Sequence, residues 1–334
     1  MVKAAGILFA CNGRVLLMHR TDGGGWAAPG GGIEDGESAE EAARREISEE
    51  VGLDYTGPLT LWTRRVANDV DFTTFLAKID EEFEPTLNDE HDAWNWVDRN
   101  LALTSTALHP GAYVTLRRFD MDELGVAKSI RDGELTSPQY YGKDLMLVAL
   151  RITGTGGAYR PAHDEYAWRD ASLYLNQEFL ERCNGLPVIF RHPAKSLLNT
   201  DEFRDRIVGS IFVPYIREEE VWGIAKILDM KAAHLLENYE MSTSPAVLCL
   251  GDQIDAGDGK KLLIEHKPQL LDHLALLIPD DDGDSGQGVW DRGGPLRGVE
   301  SIDALPTVTE EPSPLDVIAN AIMSQKIDKI SNRL

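Results

Sequence analysis

The stretch GGIEDGESAEEAARREISEEVGL, from Gly31 to Leu53, constrains this chain more than any other. Gly31, Glu37, Arg45, Glu46, Glu49, Glu50 and Gly52 stand there at fixed intervals, with Ile47 and Leu53 in two apolar slots. Between Ser38 and Val51 the sequence is rich in Ala, Glu, Arg and Ile and holds no Pro or Gly, which predicts a helix of about four turns. Ser38 with Glu41 three residues on makes a capping box, and Gly52 is placed to end the helix in a left-handed residue. Glu46, Glu49 and Glu50 then share one helix face, and their mutual repulsion opposes folding unless a cation sits among them. A hard, oxygen-seeking ion such as Mg²⁺ or Mn²⁺ answers that need. A solvated acidic face is the commoner origin of a Glu run, but it does not account for glycines and an arginine in the same register.

This segment resembles the Nudix box and departs from it nowhere. The resemblance implies an α/β/α sandwich and metal-dependent hydrolysis of the pyrophosphate bond in a nucleoside diphosphate-X or other nucleotide substrate. It further implies that Glu46, Glu49 and Glu50 hold Mg²⁺ (or Mn²⁺) with the backbone of Gly31, that Glu49 and Glu50 are catalytic, and that Glu37 pairs with Arg45. Gly30, Gly31 and Arg45 are the expected substrate contacts. A later loop often adds an acid in this family; Glu90, within LNDEHDAWNWVD, is the candidate ligand and catalytic residue, with Asp89 and Asp92 as alternatives. The flanks agree. Gly6 to Cys11 and Arg14 to His19 are apolar runs joined by Asn12-Gly13, a strong two-residue hairpin signal. Asp71 to Ile79 and Ala93 to Val97 read as strands, and Gly111 to Phe119 as a helix.

At 334 residues the chain needs a second domain. The expected division is a Nudix domain at 1–122, a linker at 123–144, a second domain at 145–292 and a tail at 293–334 ending in an amphipathic helix built on Leu315, Ile318, Ile322, Ile330 and Leu334. A formal charge of −23 argues against direct nucleic-acid binding and against an anionic membrane, while metal-chelated nucleotides remain compatible. Three cysteines, Cys11, Cys183 and Cys249, cannot all pair within the chain and suit a reducing cytoplasm, that of the host if the chain is phage-encoded. No apolar span reaches membrane length.

In the second half, Leu145 to Ile152, Ile207 to Ile216, Val221 to Leu228 and Leu270 to Ile278 read as strands, Gly154 to Gly157 as a turn, and Asp280 to Gly288 as a loop. Three passages, GLPVIFRHP around His192, MSTSPAV around Ser242 and DHLALLIP around His273, resemble phage prohead proteases. That resemblance implies a β-rich α+β domain, capsid or scaffold proteins as partners, and a serine protease with Ser242 as nucleophile, His192 as general base and His273 orienting it. Ser244 competes for the nucleophile's place. Each residue also has a plain structural reading, as a turn, a backbone cap or a core histidine. The alternative for the whole chain is a Nudix hydrolase joined to a non-catalytic assembly or binding module.

Overall fold

The computed structural model describes residues 1–142, 144–195, 197–256, 259–279 and 286–300. The expected C-terminal amphipathic helix therefore lies outside the described residues, as does most of the acidic stretch after Pro279. The chain forms two compact units, Met1–Tyr140 and Tyr141–Leu334.

The first unit is built on a mixed sheet in the order β3-β2-β1-β6-β5, from strands β1 (Val2–Cys11), β2 (Arg14–Arg20), β3 (Gly25–Ala27), β5 (Thr60–Ala67) and β6 (Val70–Lys78). Strand β4 (Gly30–Gly32) pairs with β1, and β7 (His91–Asp98) pairs with β2. Asn12 and Gly13, at φ 48° and 82°, turn β1 into β2 with Cys11 opposite Arg14, the hairpin expected of Asn-Gly. Helix α1 (Ala39–Val51) carries both halves of the Ser38/Glu41 capping box and ends at Gly52 with φ 68°. Its Ala42, Ala43, Ile47 and Val51 bury against Ala5, Ile7, Phe9, Leu16 and Met18 on one sheet face. The helices that follow are α2 (Arg99–Ala102) and α3 (Pro110–Arg117). On the other face Leu8, Val15 and Leu17 pack with Leu116 of α3, so the sheet lies between two helical layers.

Residues 123 to 140, expected as part of a linker, pack within this unit. Helix α4 (Glu123–Arg131) buries Val126, Ala127 and Ile130. The Gln139 side chain donates to the Arg64 carbonyl at 2.7 Å and accepts from its N–H at 3.2 Å, just ahead of the end of the short strand β8 (Gln139–Tyr140). The polar composition of this segment hid a few well-placed apolar anchors.

The second unit holds two sheets. The larger runs in the order β15-β18-β12-β13-β14-β9, formed by β9 (Met146–Gly154), β12 (Pro187–Phe190), β13 (Ile207–Arg217), β14 (Glu220–Ile227), β15 (Ser242–Leu248) and β18 (Leu270–Leu277). The smaller is β10-β11-β17-β16, from β10 (Gly156–Arg160), β11 (Glu165–Arg169), β16 (Gly251–Asp255) and β17 (Lys261–Glu265). Helices α5 (Ala171–Tyr174), α6 (Gln177–Cys183), α7 (Thr200–Arg206) and α8 (Met230–Asn238) complete it. The charged turn between β13 and β14 pairs Arg217 with Glu220, and the glycines at 154 to 157 do form the turn from β9 into β10. The chain is thus mixed α/β with several sheets. All three cysteines are free thiols, and no described helix is long and apolar enough to cross a membrane.

Candidate active site

Helix α1 lies along the short glycine strand β4, and the acidic site forms between them. Glu50 is buried, only 1% exposed, and its Oε2 accepts the Gly30 N–H at 2.7 Å. Burial pushes its carboxyl up to about 8; the Gly30 bond opposes this, while the charges of Glu46 and Glu90 add to it. Glu46 is raised too, chiefly by burial, against the pull of Arg45 and with Glu49 and Glu90 adding. Gly30 has φ 152°, and a Cβ there would lie 2.4 Å from the Gly6 Cα. A Cβ on Gly31 would lie 2.5 Å from the Glu46 carboxylate. Only glycine lets the backbone approach the acids this closely.

Arg45 braces the arrangement. Its guanidinium holds both oxygens of Glu37 at 3.0 Å, Glu46 at 2.8 Å, Glu49 at 3.4 Å and the Gly32 carbonyl at 2.7 Å. The expected pairing with Glu37 is present. The expected contact of Arg45 with substrate has no donor left to make it, because these acceptors occupy the fork.

Of the three acids in the later loop, Glu90 is the one whose charge acts on both Glu46 and Glu50. It sits on an exposed turn whose carbonyl accepts the Thr21 N–H at 2.9 Å. Asp92 is engaged elsewhere, with His19 at 2.6 Å. His91, which sequence reasoning missed, is buried with its Nδ1 3.9 Å from Glu50 and without a hydrogen-bond partner among the described residues. Burial, aided by Arg20, lowers its pKa and keeps it neutral, so it does not offset the Glu50 charge.

Among the described residues, no group of three or more His, Cys, Asp or Glu side chains stands close enough to grip a metal ion. Arg45 holds the Glu46 carboxylate to one side. The donor chemistry nevertheless fits a hard divalent cation: a buried carboxyl of raised proton affinity, two further carboxylates within its electrostatic reach, and an unpartnered buried imidazole nitrogen. Beside β4 lies a cavity of about 410 Å³ lined by Gly30, Gly31, Arg20, Phe72, Arg65 and His109.

In the second unit, two of the three expected site residues meet. His192 Nδ1 lies 2.8 Å from His273 Nε2, with the ring planes inclined at 61°. His273 is fully buried, and its Nδ1 lies 2.7 Å from Asp272 Oδ2. Burial lowers the His273 pKa against the pull of Asp272, and Arg206 lowers it further.

Ser242 does not join them. Its Oγ is buried and finds no hydrogen-bond partner among the described residues, and a Cβ on Gly288 would lie 2.5 Å from it. It sits opposite Leu277, whereas His273 sits opposite Ala246. The separation is four residues along the strand, roughly 13 Å. The expected Ser242 to His192 hydrogen bond is therefore absent. Ser244 lies opposite Ala275, one alternation from His273 on the same sheet face, and is partly exposed. Thr243, between the two serines, points the other way and donates to the Arg151 carbonyl at 2.6 Å.

Comparison with known proteins reaches the first unit. Residues 1–119 match the NUDIX domain family. The chain is similar to an RNA pyrophosphohydrolase from Gluconacetobacter diazotrophicus, 30% identical over 131 residues covering 28% of this chain and 73% of that protein. It is similar to a putative 8-oxo-dGTP diphosphatase 3 of Mycobacterium tuberculosis, 34% identical over 115 residues covering 31% of this chain and 52% of the relative. A solved Nudix hydrolase from M. smegmatis is 31% identical, covering 35% of this chain and 83% of that one with a TM-score of 0.30. Among the first curated relatives the chain spans between 28% and 73% of their length. With the box intact on α1 and the glycine strand against it, the chain belongs to the Nudix family through this first unit.

Proposed function

We propose that the first unit hydrolyses the pyrophosphate bond of a nucleoside diphosphate derivative or related nucleotide. The observation that carries this reading is Glu50: a buried carboxyl that feels the charges of two others, with no Lys or Arg paired to it among the described residues, hydrogen-bonded to Gly30, which lines a cavity that two arginines also line. The pyrophosphohydrolase and diphosphatase relatives support the same chemistry. Glu46, Glu49, Glu50, Glu90 and the Gly31 carbonyl would hold Mg²⁺ or Mn²⁺, which when bound polarises a phosphoryl oxygen and lowers the pKa of an attacking water. Glu50, whose Oε2 accepts the Gly30 N–H, would accept that water's proton. Arg20 and Arg65 line the cavity where anionic phosphate would lie, and Phe72 offers it an apolar ring. The test is a hydrolysis screen over nucleotide derivatives with Mg²⁺ or Mn²⁺, on the wild type and on Glu50→Gln. Turnover by the wild type that the variant lacks is expected; equal turnover by both overturns the assignment.

The His192–His273–Asp272 chain favours a second activity, acyl transfer of the prohead-protease kind, in the second unit. Ser244 replaces Ser242 as its nucleophile, for the geometric reasons above. The Ser244 oxygen would bond to the scissile carbonyl carbon while its proton passes to His192. The C–N bond then breaks with that proton going to the leaving amine, and water releases the acyl group by the same route. Capsid or scaffold proteins are the substrates this resemblance suggests. Clipping of the purified chain that stops in Ser244→Ala supports the reading; a chain that neither clips nor reacts with a serine-directed fluorophosphonate leaves the unit a binding or assembly module.

A further inference from the structure

Strand β7 opens on an irregularity. Arg20 of β2 faces His91 while its neighbour His19 faces Ala93, so Asp92 is the extra residue of a β-bulge. Trp94 and Trp96 pack with the core beneath α1, and uninterrupted alternation would put Asp92 on that face and His91 on the other. The bulge exchanges them. Asp92 is turned out to His19 at 2.6 Å, and His91 is turned in, its side chain only 2% exposed and its Nδ1 3.9 Å from Glu50 Oε1. That nitrogen has no hydrogen-bond partner among the described residues. Burying a polar nitrogen without a partner is costly, so the position calls for a group from outside the chain. The gap to Glu50 is too long for a hydrogen bond. It is short enough for one ion to span, since metal–nitrogen and metal–oxygen bonds of roughly 2.1 Å each reach about 4.2 Å together.

We propose that His91 Nδ1 is a nitrogen ligand of the divalent ion at Glu50, which makes this centre select a first-row transition ion such as Mn²⁺ over Mg²⁺. The inference rests on the metal-dependent hydrolysis reading of the first unit and names the kind of ion that reading uses. Imidazole suits transition ions, whereas Mg²⁺ keeps to carboxylate, phosphate and water oxygens. Glu46 is the third donor. A Cβ on Gly31 would lie 2.5 Å from its carboxylate, so it stands against the residue next to Gly30, whose N–H holds Glu50. Glu90, one residue before His91, brings its charge to the same two acids. The bulge thus turns an imidazole toward a centre that the helix furnishes with carboxylates alone, and bulges beside active sites characteristically re-aim a side chain in this way.

The test loads the metal-free full chain with Mn²⁺ and, separately, with Mg²⁺. The readouts are the two dissociation constants, by calorimetry, and the nitrogen couplings of bound Mn²⁺ in pulsed electron paramagnetic resonance. In the wild type a directly bound nitrogen is expected, as a ¹⁴N modulation that changes to the ¹⁵N pattern when the histidines alone carry ¹⁵N, and that is lost in Glu50→Gln. His91→Asn sets an oxygen near the place of Nδ1. It should lose the nitrogen coupling and bind Mn²⁺ about 10-fold or more weakly, since even an outer partner of a metal ligand is worth that much, while Mg²⁺ affinity moves less. If His91→Asn does not fold, the histidine coupling of the wild type and its loss in Glu50→Gln decide the matter. Binding of neither ion in a way that depends on Glu50 overturns the metal-dependent hydrolysis reading and this inference with it. Mn²⁺ bound at Glu50 without a histidine coupling, or with one that survives in His91→Asn, removes His91 alone and leaves that reading standing.

Discussion

The acidic site on α1 and the imidazole site on β18 solve the same electrostatic problem in opposite ways. Around Glu50, carboxylates are gathered, Arg45 is turned toward Glu37, Glu46 and Glu49, and Arg20 is the cation whose charge acts on Glu50, less strongly than burial and the neighbouring acids. Around His273, hydrogen bonds link the exposed His192 ring to the buried His273 ring and on to the partly buried Asp272 carboxylate. The first site is incomplete without a charge from outside the chain, and the second is complete within it. The difference predicts that divalent ions act on one and leave the other indifferent.

The largest expected effect falls on Glu50. Glu50→Gln should lower nucleotide hydrolysis on the order of a thousandfold with Mg²⁺ present, since a group handling charge and proton in the transition state is lost. The His192 and His273 ¹⁵N shifts should not move; if they do, the two sites are not independent. Glu90→Gln should cost less, about 10- to 100-fold and in kcat more than KM, because Glu90 is exposed and contributes through its charge on Glu46 and Glu50. Greater sensitivity of Asp92 than of Glu90 in the same assay would exchange their roles.

The next effect is on stability. The Glu50 carboxyl sits at about 8 when folded, above the ordinary carboxylate value near 4.3 of an unfolded chain. The folded state therefore binds the extra proton, and its advantage is full below about pH 4 and shrinks as pH rises toward 8. In chelator, calorimetry should show the first unit's melting temperature falling by about 5 °C or more between pH 5 and pH 8. Mg²⁺ should restore it, and Glu50→Gln should flatten the slope. A slope that survives Glu50→Gln would place the raised group elsewhere. Smallest of all, Ser38→Ala should cost about 1 kcal/mol by removing the α1 cap, seen as a lower melting temperature of the first unit alone.

How far each site could be read from the sequence follows from how its parts are connected. Helix α1, its cap, its Gly52 terminator and the Glu37–Arg45 brace all lie within one local segment, where helical periodicity alone determines what faces what. Arg20 and His91 were out of reach. They meet because β2 pairs with β7 and sets Arg20 opposite His91, a long-range pairing that no local pattern announces. Asp272 was hidden differently. It adjoins His273 in sequence, and strand alternation would send neighbouring side chains to opposite faces, yet its carboxylate bends back to the ring and to the Leu198 N–H. The two serines show the same limit: MSTSPAV cannot reveal that backbone at Gly288 covers one and leaves the other open. The smaller sheet of the second unit escaped because its strands are only five residues long and β11 pairs with β17 from far along the chain.

The contact between Gly6 and Gly30 also bears on how this protein could change. A Cβ on Gly6 would meet the Pro29 carbonyl at 2.3 Å, and one on Gly30 would meet the Gly6 Cα at 2.4 Å. No single-step or paired substitution relieves this, because each added methyl enters space the other backbone already fills. This part of the cavity lining is thus closed to mutational drift, and any change in what the cavity accepts must be acquired at lining side chains such as Arg65 or His109, which can be exchanged without moving the backbone that holds Glu50.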